Sequence, residues 1–318
     1  YRNKSPQRSN SHVCIEQKKE KIFLLMLKYG IVCSGGLAKG AYQLGFLESL
    51  HDYLSKEEIK AFAGSSIGIF NAYFYLADKM DLGRELWLNF DAKGYFKLYR
   101  EIVLKGFINK SIEKIIEEED VLPCPLYVSA SSILPWPGHR YYKISGQNKP
   151  IWKKLMRTAI GVPFVTGLPK IFDKKICVDG SLFDNVPILP LLEEEVDVII
   201  VLHFDSRYKL EKRWLESDKV ILELDLSVSN NFLKKAFNFS KDNLNQMYES
   251  GKMYGHDIFT HLFKNGKTLE QIRLQADKIM KEELIVRKTY KNIDRWITLL
   301  NRLTKKLRKN PKKRIIEL

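Results

Sequence analysis

The sequence has no apolar run long enough to cross a bilayer. The apolar stretch Ile22 to Leu27 follows several lysines. It is short and leads straight into a predicted strand, so it does not read as a signal peptide. Cysteine is scarce: the four residues, at positions 14, 33, 124 and 177, show neither zinc-ligand spacing nor a small disulfide framework. A reducing, cytoplasmic compartment is the simpler reading, with Cys33 and Cys177 acting as small apolar residues in predicted buried strands. The patterns G-x-x-x-x-G-K-[ST] and G-x-G-x-x-G are absent, which argues against a nucleotide-binding module. No loop resembles a calcium site and no segment resembles a nucleic-acid-binding motif. No cofactor or metal is expected. Internal repeats and low-complexity linkers are also missing.

What is present is a chain of 318 residues, 45% of them hydrophobic, enough for one large α/β domain with an extra helical part. The formal net charge is +15. Such an excess of lysine and arginine predicts attraction to an anionic surface, a membrane before nucleic acid, although a solvated lysine-rich face would also account for it. The stretch from Arg302 to Arg314 is especially basic. The expected organisation is a disordered extension over 1–25, an α/β core over 26–229, and a helical part over 230–318 packed on the core and ending in the basic tail. Pro125 to Ser132, Arg140 to Ile144, Val196 to His203 and Lys219 to Leu226 read as strands. Val286, Tyr290, Ile293, Ile297, Leu300, Leu303 and Leu307 recur at helical spacing. Asp91 to Lys110 mixes glycine, lysine and aromatics and is a candidate cap. Oligomeric state is not legible.

Three segments carry the chemistry. Gly64-Ser65-Ser66-Ile67-Gly68 has the form G-x-S-x-G between an apolar run, Ala61 to Ala63, and a helix-like stretch, Ile67 to Leu76. Serine on a sharp strand-to-helix turn is the pattern of a nucleophile elbow, with Gly64 and Gly68 giving room for the turn. The bland alternative is a serine that caps the helix. Upstream, Tyr29 to Cys33 reads as a buried strand running into a glycine-rich turn, Ser34-Gly35-Gly36-Leu37-Ala38-Lys39-Gly40, then a helix to about Leu54. Backbone N–H groups in such a turn converge on one spot and can hold an anion. Downstream, the strand Lys175 to Val178 ends in Asp179-Gly180-Ser181. Strand ends are where α/β sheets present functional groups, although Asp-Gly also occurs in ordinary turns.

Taken in this order, the three segments resemble the patatin-like phospholipase family, over roughly Lys28 to Phe204. A softer match is Met156 to Phe164, a helix followed by Pro163-Phe164. The family's usual loop has three consecutive glycines, whereas this chain has Leu37 after Gly35 and Gly36, then Lys39-Gly40 as in the family. Leucine keeps an N–H to donate but takes positive φ only at a cost. Ser181 is a mild variant of the family's Gly or Ala.

The resemblance implies a three-layer α/β/α fold with a mostly parallel sheet. It also implies a lipid acyl hydrolase of phospholipase A or lysophospholipase type, acting on a phospholipid or other acyl ester. Ser66 would be the nucleophile and Asp179 its base, and the loop of Gly35, Gly36, Leu37, Lys39 and Gly40 would supply the oxyanion hole. Lys39 reads as a structural support of that loop. Two alternatives stand beside it: a Ser–His–Asp esterase drawing on His203, His256 or His261, and an inactive lipid-binding protein of the same fold.

Overall fold

The central strands carry apolar or small residues on both faces, and the structure buries them on both. The computed structural model describes residues 26–93, 95–146, 148–161, 169–205, 208–227, 237–289 and 314–318. Strands β1 (Tyr29–Cys33) and β8 (Val198–His203) are buried at every position, and β2 (Ile59–Gly64) at all but Lys60. Parallel strands covered by helices on each side require this. The other strands are β3 (Ala92–Lys93), β4 (Leu126–Leu134), β5 (Gly138–Ile144), β6 (Lys170–Phe172), β7 (Lys175–Asp179), β9 (Val220–Asp225), β10 (Asn238–Phe239) and β11 (Ile315–Glu317).

The main sheet runs β11-β5-β4-β2-β1-β8-β9, with β7 on β4 and β6 on β7. The block β4-β2-β1-β8-β9 is parallel throughout. Alternate residues feed separate cores. Ile31, Phe62, Val128, Ile200 and Leu222 join the larger one, and Val32, Ala61, Ala63, Val201 and Ile221 the smaller. The larger core takes in α1 (Gly40–Leu50), α2 (Ile67–Leu76), α3 (Met80–Asn89), α4 (Tyr95–Tyr99), α5 (Phe107–Ile115) and α6 (Lys149–Ala159). The smaller core takes in α7 (Leu189–Glu193) and α8 (Lys212–Leu215). The result is a mostly parallel sheet between two helical layers.

The helical part after residue 230 contributes α9 (Lys241–Leu262) and α10 (Leu269–Thr289) to the larger core. Helices α1 and α9 meet at backbone contact. A Cβ on Gly251 would stand 1.9 Å from the Tyr42 carbonyl oxygen, and one on Gly45 2.0 Å from that of Tyr248. Two strands here were not read from the sequence: β10, which pairs with β3, and β11, which pairs in parallel with β5 at the sheet edge. Both are two or three residues long, too short for period-2 patterning. The extension 1–25, Val162 to Phe164, Tyr290 to Leu307 and the basic run from Arg302 through Lys313 lie outside the described residues.

One arrangement positions the site. Strand β4 is longer than its neighbours. Along one edge it pairs with β5 over Leu126 to Ser132. Its other edge is shared: Leu126 to Val128 pair with β2, running parallel, and Ala130 to Leu134 pair with β7, running antiparallel. Strands β2 and β7 therefore approach each other head-on beside β4. Gly64 ends one at the level of Val128, and Asp179 ends the other at Ala130.

Candidate active site

Head-on strand ends bring together two side chains that are 113 residues apart in sequence. Ser66 Oγ donates a hydrogen bond to Asp179 Oδ2 at 2.6 Å. Ser66 stands at the N-cap of α2 but makes no capping bond with its side chain, so helix capping does not explain it. Its backbone has φ 52 and ψ −129, a conformation that costs a non-glycine residue on the order of 1–3 kcal/mol. Close packing forces that turn. A Cβ at Gly68 would lie 2.3 Å from the Cys33 carbonyl oxygen, and one at Gly64 2.8 Å from Ile69 Cα.

Asp179 is 2% exposed. It divides its carboxylate between two tasks: Oδ2 receives Ser66, and Oδ1 accepts the Ser181 N–H at 2.8 Å. The second bond caps the 3₁₀ turn Gly180–Leu182, so the ordinary Asp-Gly turn reading also holds. Burial pushes the Asp179 pKa up from 3.8 to about 6, against the opposing hydrogen bonds from Ser66 and Ser181. At neutral pH Asp179 is ionised and is a stronger base than an exposed aspartate.

The glycine-rich loop leads from β1 past Ser66 into α1. Leu37 has φ 53, so leucine does adopt the left-handed conformation where the family carries glycine. Left-handed backbone costs an L-residue about 1–2 kcal/mol. Gly35 is held tightly: its N–H donates to Asn185 Oδ1 at 2.9 Å, and its carbonyl accepts from Asn185 Nδ2 at 3.2 Å. The Gly35 N–H is thus engaged. Those of Gly36 and Leu37, at the start of a 3₁₀ turn, make no hydrogen bond to another described residue. Gln43 Nε2 donates to the Ser34 carbonyl at 3.2 Å, and Asn71 Nδ2 to those of Gly40 at 2.8 Å and Gln43 Oε1 at 3.0 Å. Lys39 is buried beside the Phe204 ring, with Nζ 5.7 Å from the centroid. It lines a separate pocket with Tyr42, Asn243 and Met247.

Ser66 opens onto an apolar cleft enclosing about 780 Å³ of empty space, part of it open to solvent. Leu37, Ile67, Phe70, Trp87, Ile102, Phe107 and Phe239 are among its walls. The segment read as a candidate cap supplies Ile102 from a π-helical turn at Arg100–Leu104, and Phe107 and Ile108 from the start of α5.

Ser66 and the glycine-rich loop lie at strand-to-helix turns and Asp179 at a strand end; Gln43, Asn71 and Asn185, which hold the loop, were not expected from the sequence. A signal existed. For Gln43 and Asn71 it is an amide within a helical run of apolar and small residues, where a buried amide must find partners. Among the described residues no histidine bonds Ser66 or Asp179. His203 Nε2 lies 3.0 Å from Glu223 Oε1, and its Nδ1 accepts the Asp205 N–H. His256 and His261 sit on α9 against Tyr53 and Asp257. Among the described residues no Ser–His–Asp triad is assembled, and no cluster of three or more His, Cys, Asp or Glu could hold a metal.

The patatin-like phospholipase family matches residues 31–192 of this chain. The chain belongs to that family of lipid hydrolases, and its fold is the patatin fold. Two solved structures are similar at low identity. VipD from Legionella pneumophila has a TM-score of 0.37 and 13% identity, over 88% of this chain and 80% of VipD. The heterodimeric ExoU–SpcU complex, from the type III secretion system of Pseudomonas aeruginosa, has a TM-score of 0.30 and 16% identity, over 91% of this chain and 68% of the matched one.

Proposed function

We propose that the protein is a lipid acyl hydrolase of phospholipase A or lysophospholipase type, with Ser66 as nucleophile and Asp179 as base. The observation that carries this reading is the 2.6 Å Ser66–Asp179 hydrogen bond at the mouth of an apolar cleft. An acyl chain lies in the cleft with its ester carbonyl at Ser66. Asp179 Oδ2 takes the Ser66 proton as Oγ attacks the carbonyl carbon. The N–H groups of Gly36 and Leu37 receive the oxyanion, helped by the N-terminus of α2. Collapse of the tetrahedral intermediate expels the alcohol, which leaves with the proton from Asp179. Water then attacks the acyl-serine, giving its proton to Asp179. Release of the fatty acid returns that proton to Ser66.

Ser66→Ala and Asp179→Asn should each lower hydrolysis of a chromogenic medium-chain ester by at least about a thousandfold while leaving the fold intact by circular dichroism. Full activity in either purified variant would overturn the assignment.

A further inference from the structure

Strand β4 does not stop at the level of the candidate active site. Ala130 lies opposite Asp179, and β4 continues to Leu134, about 13 Å further along the same direction at 3.3 Å per residue. Strands β6 and β7 extend with it. Two hairpins therefore stand up beside the site at the end of the sheet where Ser66 is presented. Their tips are apolar and open. Leu134, Ile176 and Ile171 are register partners across three adjacent strands, so they share one face. Leu134 is 52% exposed and Ile171 67%. Trp136, in the turn between β4 and β5, is 80% exposed, although the Ser132 hydroxyl fixes its backbone carbonyl at 3.3 Å. An ordered backbone holding out an indole is a costly surface in water, since exposed tryptophan is rare.

Charge surrounds the apolar tips. The β6–β7 hairpin carries Lys170, Lys174 and Lys175 against one carboxylate, Asp173, within a chain of net charge +15. Lys175 pairs with Asp173 at 2.9 Å and Lys170 Nζ donates to the Arg157 carbonyl at 3.3 Å, so the turn keeps an excess of positive charge at the exposed Lys174. Indole and aliphatic side chains flanked by lysine match the chemistry of a bilayer's interfacial zone with anionic headgroups. We propose that the two hairpins dock the protein on an anionic lipid surface, with Trp136, Leu134 and Ile171 entering the interface and Lys174 and Lys175 meeting headgroups. The docking places the candidate site against the surface that supplies its substrate, and to that extent rests on the function proposed above.

The test uses the full chain carrying Ser66→Ala, which keeps the bilayer intact. Its co-sedimentation is measured with phosphatidylcholine vesicles and with vesicles containing about one third phosphatidylserine. Docking predicts binding to the anionic vesicles, weakened about tenfold or more by Trp136→Ala with Ile171→Ser. Lys174→Glu with Lys175→Glu abolishes the preference for phosphatidylserine. Hydrolysis of a soluble short-chain ester is unchanged when the same hairpin substitutions are made with Ser66 intact, which also shows that they fold. Undiminished vesicle binding by both double variants overturns the proposal. So does a hairpin-dependent dimer with no vesicle binding, which would assign the patch to a second copy. Because vesicle binding is read without turnover, an active Ser66→Ala protein would defeat the proposed function and leave this result standing.

Discussion

Asn185 grips Gly35 through both of its flanking peptide units, accepting its N–H and donating to its carbonyl. The clamped Gly35 carbonyl shares its planar peptide unit with the Gly36 N–H, so the clamp sets the direction of one proposed oxyanion donor and, through the chain, that of the next, the Leu37 N–H. Asn185→Ala removes the clamp without touching Ser66 or Asp179. It should lower kcat by about ten- to a hundredfold, the scale on which misaligned oxyanion donors act, with KM changed by less than about threefold. Asn185→Asp keeps an acceptor for the Gly35 N–H but loses the donor, and should fall between alanine and wild type. Steady-state kinetics on one soluble ester check this. A rise in KM with kcat intact would place Asn185 in substrate binding instead.

If Asp179 is the proposed base, its pKa, raised by burial to about 6, should set the acid limb of the activity. The base must be ionised, so kcat/KM should fall about tenfold per pH unit below that value and level off above it. With no histidine among the described residues bonded to the pair, the limb should behave as a carboxylate's. Its midpoint should shift little with temperature, because carboxyl ionisation carries little enthalpy. A midpoint near 4 would mean that Asp179 is better solvated in the working enzyme than its burial implies.

The local geometry of the candidate site was more legible than that of the region around it, for a physical reason. Ser66, Asp179 and the glycine loop sit in short motifs whose spacing is dictated by strand-to-helix turns, so each motif predicts its own local geometry. Ile67 to Leu76 was read as a helix and forms one over those residues. What brings Ser66 to Asp179, however, is a pairing of β2 and β7 along one edge of β4. Long-range registers of that kind leave no periodic trace. Asn185 was overlooked because its partner, Gly35, is 150 residues away. Strand β11 escaped notice because Ile315–Glu317 gains its meaning only beside β5. The apolar cleft draws on residues from Leu37 to Phe239, and no single stretch announces it.

Asp179 should also weaken the fold at neutral pH. Its folded pKa lies above the ordinary value of 3.8, so as pH rises the unfolded chain gives up the proton first. The stability present below pH 3.8 is therefore lost as pH climbs through the window up to about 6. Roughly two pKa units amount to about 3 kcal/mol at pH 7. Asp179→Asn removes the buried charge and should raise Tm by several degrees near pH 7.5, with the gain shrinking toward zero near pH 4. Thermal melts of both proteins at the two pH values give the comparison. A gain that stays constant with pH would assign the effect to packing rather than to ionisation.

Leu37 combines a backbone conformation that suits glycine with a side chain on the cleft wall beside Ser66. The two features act in opposite directions on Leu37→Gly. Glycine relieves left-handed strain of about 1 kcal/mol, but it gives up the partial burial of an isobutyl group and adds unfolded-state entropy. Stability should therefore change by less than about 1 kcal/mol. The catalytic effect should be larger. Removing the side chain opens the cleft at the end where the carbonyl sits, so acyl groups branched near the carbonyl gain access. The ratio of kcat/KM for a branched acyl ester to that for its linear isomer should rise by about tenfold, the scale for a few methylenes of pocket volume. If that ratio is unchanged while kcat falls for both esters, Leu37 serves the loop's backbone and not the shape of the cleft.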